Sequence, residues 1–92
     1  MSNNTLRELK MINVKGLHAR ASARLVEVVE GFDATAEVSR DGQSAGGDSI
    51  MGLLMLAAAK GTTIEVQTSG PDAAALADAI EALVADRFGE NC

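Results

Sequence analysis

Gly16-Leu17-His18-Ala19-Arg20-Ala21-Ser22 holds the only histidine of a 92-residue chain. It lies where an extended segment, Leu6 to Val14, gives way to one of helical spacing, Ala19 to Glu30. Gly16 lets the backbone turn where a side chain would hinder it. Beyond it Ala21, Leu25 and Val29 fall at i, i+4 and i+8, one face of a helix. A histidine directly before a helix faces first-turn N–H groups that lack intrahelical partners, and the positive end of the helix dipole. That setting favours a neutral, nucleophilic ring and suits an anion delivered to it. Arg20, two residues on, adds a planar, permanently charged fork matched to phosphate oxygens. By composition alone a lone histidine is an ordinary surface or core residue. The glycine before it, with the helix start and arginine after it, sets anion chemistry beside that plain reading.

Working outward, residues 1–4 are polar and read as disordered. Thr5 to Val14 reads as a first strand, Leu9 and Met11 on one face and Glu8 and Lys10 on the other. Ile12 and Val14 break the alternation, so the strand bulges or ends near Asn13. The first helix stops at Glu30-Gly31, and Phe32 is expected to fold back on the core. Ala34, Ala36 and Val38 mark a second strand, and Asp41-Gly42 is a two-residue hairpin turn leading to a third over Gln43 to Ala45. Gly46-Gly47-Asp48 leaves the sheet. Ser49 or Asp48 caps a second helix whose apolar run, Ile50 to Leu56, is expected to extend to Ala59-Lys60-Gly61. Thr62 to Ser69 forms the fourth strand, with Ile64 and Val66 inward. Pro71 sits in the first turn of a last helix with the stripe Leu76, Ile80, Leu83 and Val84, Arg87 in its last turn and Gly89 at its end.

The order β-α-β-β-α-β-α predicts an α+β fold. It is a two-layer open-faced sandwich, a four-stranded antiparallel sheet with three helices on one face, in a single domain over residues 1–92. Ferredoxin-like domains share most of this order, so fold alone does not choose a function.

Composition narrows the field. Net charge is −5 and the only aromatics are Phe32 and Phe88. That speaks against nucleic acid and anionic membrane as partners. Neither a signal peptide nor a membrane-length apolar run is apparent, and one cysteine, Cys92, allows no internal disulfide. The reading is a cytoplasmic chain with Cys92 frayed and silent. One histidine and one terminal cysteine make no metal-ligand set, nothing supplies a nucleophile elbow, and no cofactor is implied.

Two blocks carry a resemblance. Gly16-Leu17-His18-Ala19-Arg20 resembles the active-site signature of HPr, the histidine-containing phosphocarrier family of the phosphoenolpyruvate-dependent phosphotransferase system. Ser49-Ile50-Met51-Gly52-Leu53-Leu54-Met55-Leu56-Ala57 resembles the segment around that family's regulatory serine. The spacing of the blocks fits, and the similarity runs from about Leu6 to Glu90.

The resemblance implies that His18 accepts a phosphoryl group on Nδ1 from phosphorylated enzyme I and passes it to an enzyme IIA protein. Arg20 would stabilise the phosphate, and the chain would be a carrier, not a turnover catalyst. Lys15 and Arg24 read equally as added positive potential and as plain solvated charge. Ala19, Arg24, Ile50, Met51 and Leu54 are the implied partner-binding residues. Ile50 and Met51 are expected to be partly exposed, with Leu53 and Leu56 buried and no large apolar face left after folding, in a monomer. A helix cap accounts fully for Ser49. The matching serine of Gram-positive and some other bacterial members is phosphorylated, which adds a serine kinase/phosphorylase as an implied partner.

Three departures from the family pattern stand out. Ala21 replaces a common proline, Gly46-Gly47 replaces bulkier residues, and Asp48 would repel a neighbouring phosphoserine. Sugar uptake and the nitrogen-type regulatory branch share the same histidine chemistry. Two further alternatives are a regulatory docking protein controlled at Ser49 and a ferredoxin-like small-molecule sensor.

Overall fold

Alternation of apolar and polar residues over 35–40 and 63–69 builds strands that bury one face, whereas the strand over 43–46 has no buried residue. The structure, a computed structural model, describes residues 4–91. Its elements are β1 (Asn4–Lys10), α1 (Ala19–Glu30), β2 (Thr35–Arg40), β3 (Gln43–Gly46), α2 (Ile50–Met55), β4 (Thr63–Ser69) and α3 (Ala73–Ala85). A short 3-10 turn, Arg87–Gly89, follows α3. The strands form one antiparallel sheet in the order β1-β4-β2-β3. In the central strand β4, Ile64, Val66 and Thr68 are wholly buried while Thr63, Glu65 and Gln67 face out. Leu9 lies opposite Ile64 and Val38 opposite Val66, so apolar side chains from three strands meet on one face. Leu25 and Val29 of α1, Leu53 of α2 and Leu76 and Ile80 of α3 close over that face as one core. This is the expected open-faced sandwich.

The differences have local causes. Asn4 is paired with Ser69 in β1, where disorder was expected; residues 1–3 and Cys92 lie outside the described residues. The first strand ends at Lys10, not Val14, and the chain beyond it is held by single bonds, Met11 N–H to Thr62 O and Gly61 N–H to Met11 O, both 2.8 Å. Helix α2 stops at Met55, not near Gly61. Ala57 enters the left-handed region (φ 51°), and the following backbone bonds to Met11, just past β1, and to the histidine loop instead of continuing the helix. Pro71 precedes α3 and is not in its first turn. Asp72 occupies the N-cap position, but its carboxylate accepts the Asp33 N–H at 2.8 Å while its own N–H reaches Asp33 O at 3.1 Å. Arg87 and Gly89 belong to the 3-10 turn and not to α3.

Gly47 is buried against β2 and α1. A Cβ there would stand 2.9 Å from Ala36 Cβ and 3.1 Å from Val29 Cγ2, so the bulkier residues of the family pattern would not fit this packing. On α2 the expectation of no exposed apolar face is corrected: Ile50, Met51 and Met55 are 40%, 70% and 76% exposed. Six residues of helix present too little surface to bury every apolar side chain of the run. None of the helices among the described residues is long and apolar enough to cross a membrane.

Leu25, wholly buried between α1 and the sheet, gives a direct test of this core. Leu25→Ala is expected to lower stability by about 2–5 kcal/mol, read as a lower urea midpoint with an unchanged denaturant slope.

Candidate functional site

The loop before α1 is fastened to the backbone that follows α2. Leu17 N–H donates to Ala58 O at 2.9 Å, and Gly16 sits directly against that segment with φ +62°. A Cβ at Gly16 would fall onto the Ala58 carbonyl oxygen and lie 2.9 Å from Ala59 Cα. Both the left-handed conformation and the close approach therefore require glycine. Ser22 fastens the other end, its N–H on His18 O at 2.8 Å and its hydroxyl on Leu17 O at 3.3 Å.

Held in this way, His18 is the N-cap of α1, with Nδ1 accepting the Arg20 N–H at 3.3 Å. The ring is 25% exposed. It lines a cleft of about 340 Å³ together with Lys15, Arg20, Arg24, Phe88 and Glu90. Among the described residues, three cations and one carboxylate thus share the cleft with the imidazole of an acidic protein. A group carried on Nδ1 would meet the first-turn amides of α1, where the dipole favours negative charge.

Glu90 is the part that sequence reasoning missed. Its Oε2 meets His18 Nε2, and its Oε1 accepts from Asn13 Nδ2 at 3.0 Å. These hydrogen bonds hold the Glu90 carboxyl below the usual glutamate range, that of His18 first and that of Asn13 next, against the opposing effect of burial. Asn13 is wholly buried and also donates to Gly16 O at 2.8 Å, while its Oδ1 has no partner among the described residues. An unpaired buried acceptor costs about 1–3 kcal/mol. Glu90 reaches the ring because the chain reverses at Arg87, Phe88 and Gly89, which all have positive φ (55°, 55° and 80°). Phe88 is wholly buried and anchors that turn. A left-handed phenylalanine is a strained conformation of the order of 1–3 kcal/mol. These pairs span more than seventy positions, so no periodic pattern exposes them. The one hint available was a phenylalanine beside a glycine just past the last helix.

The remaining expected residues fall elsewhere. Ala19 is exposed at the start of α1. Ser49, Ile50, Met51 and Leu54 do not line the cleft but belong to α2 and its cap, on the helix that packs beside α1. Ser49 is exposed and its hydroxyl accepts the Gly52 N–H at 3.1 Å. Leu54 is half-buried, and Leu53 and Leu56 are buried. Met55 is a further exposed side chain of this helix, beyond the residues the sequence pointed to.

The family model for the PTS HPr component phosphorylation site matches residues 6–86. The chain belongs to the HPr family. Its general role is that of the family, a phosphocarrier of the phosphotransferase system. It is 46% identical over 85 residues to the phosphocarrier protein HPr of Cupriavidus necator, spanning 92% of this chain and 96% of that protein. It is 40% identical over 84 residues to the phosphocarrier protein NPr of Shewanella violacea, spanning 91% and 92%. The crystal structure of HPr-C-His from Thermoanaerobacter tengcongensis superposes with a TM-score of 0.90 at 27% identity, over 96% of this chain and 99% of that one. HPr and NPr names both occur among the relatives, so family membership leaves the branch open.

The lowered Glu90 carboxyl has a consequence for stability. The unfolded chain takes up its proton at ordinary glutamate pH, whereas the folded chain resists until lower pH, so the contribution is present above about pH 4.3 and is lost as pH falls. Glu90→Gln is expected to lose less stability than the wild type between pH 6 and about pH 3, measured by urea unfolding at each pH.

Proposed function

We propose that His18 is the phosphoacceptor, taking a phosphoryl group on Nδ1 from phosphorylated enzyme I and delivering it to an enzyme IIA protein. The observation that carries this reading is the position of Nδ1: it faces the N-terminus of α1 in a cleft with Lys15, Arg20 and Arg24. Phosphoryl transfer depends on positioning and charge stabilisation more than on covalent help. A cradle of one nearby arginine, two further cations and first-turn amides supplies both. A carrier must release what it holds, and an open, partly solvated cleft avoids trapping the group. The chain then acts as a substrate and product of other enzymes and turns nothing over itself.

Docking falls to the surface beside the site. Ala19 and Arg24 on α1, and Ile50, Met51 and Leu54 on α2, form the contact set of this reading. Met51 is flexible enough to fit several partners in turn. The three cations near His18 favour acidic partner surfaces and raise association rates at low salt. The exposed Ser49 is the regulatory point in this reading. A phosphate there would sit well on the start of α2, yet add about two negative charges beside Asp48 and the docking residues. Ser49→Asp is expected to raise the KM for enzyme I several-fold, with Ser49→Ala close to wild type in steady-state transfer.

The central test is phosphotransfer with phosphoenolpyruvate, magnesium and enzyme I. The wild type is expected to take an acid-labile, alkali-stable phosphate, and His18→Ala to take none. Arg20→Ala is expected to slow labelling by about 10²-fold. A wild-type chain left unlabelled by enzyme I of its own organism would sink the reading. Stripping of the label by acceptors of the sugar-uptake or nitrogen-type branch then assigns the branch.

A further inference from the structure

We propose that Glu90 is a positioning residue for phosphoryl transfer: it holds His18 by Nε2 so that the Nδ1 lone pair faces the cleft, and Asn13 holds Glu90 in place. This rests on the reading of His18 as the phosphoacceptor.

An ionised carboxylate only accepts hydrogen bonds, so its contact with Nε2 puts the ring proton on that nitrogen. The lone pair is then on Nδ1, the atom that faces the Arg20 N–H. Two features show that this contact is built and not incidental. First, Asn13 Nδ2 donates to both Glu90 Oε1 and Gly16 O, at 3.0 and 2.8 Å. Both neighbours are acceptors, so the carboxamide has one workable orientation, and it leaves its own buried oxygen unpaired among the described residues. Second, Glu90 arrives through a turn with two non-glycine residues in the left-handed region, Arg87 and Phe88. A chance surface pair needs neither a buried clamp nor a strained turn.

The chemistry gives the contact a purpose. The Nδ1 lone pair forms the N–P bond while the bond from phosphorus to the donor breaks and its electron pair leaves with the donor. The ring then carries a positive charge and keeps its Nε2 proton against the Glu90 carboxylate. On delivery the N–P electrons return to the ring, which leaves neutral with the same proton still on Nε2. No proton has to enter or leave in either direction. Glu90 thereby keeps the phosphorylated ring in its protonated form, from which the ring departs more readily as a neutral leaving group. The other charged groups lining the cleft are Lys15, Arg20 and Arg24, all cationic. Among the described residues that line the cleft, Glu90 is the one anion able to stabilise the charged ring.

The test compares the wild-type chain with Glu90→Gln and Glu90→Ala, each checked for fold by its amide NMR spectrum. The pH at which the phosphorylated ring loses its Nε2 proton, followed by the phosphorus-31 shift, is expected to fall by about one unit in Glu90→Gln. Above that pH the kcat for delivery is expected to fall about tenfold, with KM for the partner unchanged. Nitrogen-15 shifts of unphosphorylated His18 are expected to show the proton on Nε2 in the wild type and divided between both nitrogens in Glu90→Ala. A purely structural role would leave the ring titration untouched. If the wild type is labelled normally and Glu90→Gln matches it in ring titration and kcat, the positioning role is overturned and the carrier reading survives. If the wild type takes no label at His18, both fall together.

Discussion

The hydrogen bond from Leu17 N–H to Ala58 O joins the histidine loop to the chain that follows the second helix. It forms only because Gly16 adopts a left-handed conformation with no side chain to keep the two backbones apart. Much else follows from this approach. It stops α2 after six residues, since Ala58 and Gly61 spend their backbone groups on the loop and on Met11 instead of on a further helical turn. It also sets where α1 begins, so that His18 caps the helix with Nδ1 accepting the Arg20 N–H. A core that buries apolar side chains from three strands and three helices supplies the rigid base for this contact.

The cleft itself combines opposite electrostatic demands. Three cations line it, while among the described residues a single carboxylate, Glu90, engages the histidine ring at Nε2. Arg24 completes the link between the two ends of the chain, its guanidinium lying close to Gly89 in the turn that delivers Glu90. The basic cluster is local, because the chain as a whole carries a net charge of −5. A neighbouring surface is of a different kind: Ile50, Met51 and Met55 project from a helix too short to bury them. Charge beside exposed, adaptable apolar side chains is the usual make-up of a transient interface.

Much of this was legible in the sequence because it depends on local chemistry. Period-two alternation marked β2 and β4, Asp41-Gly42 marked the hairpin, and the spacing of Ala21, Leu25 and Val29 marked the buried face of α1. The block around His18 identified the family and the central side chain, since glycine, histidine, helix start and arginine are contiguous. By themselves, then, the residues determined the element order, the sheet's buried face and the candidate phosphoacceptor, all set by interactions within a few positions. Only the tertiary structure decided the rest. The ends of β1 and α2, the packing that demands Gly47, and the pairing of Asn13 and Glu90 with His18 depend on backbone and side-chain contacts between segments distant in the chain, where no local pattern records which groups will meet.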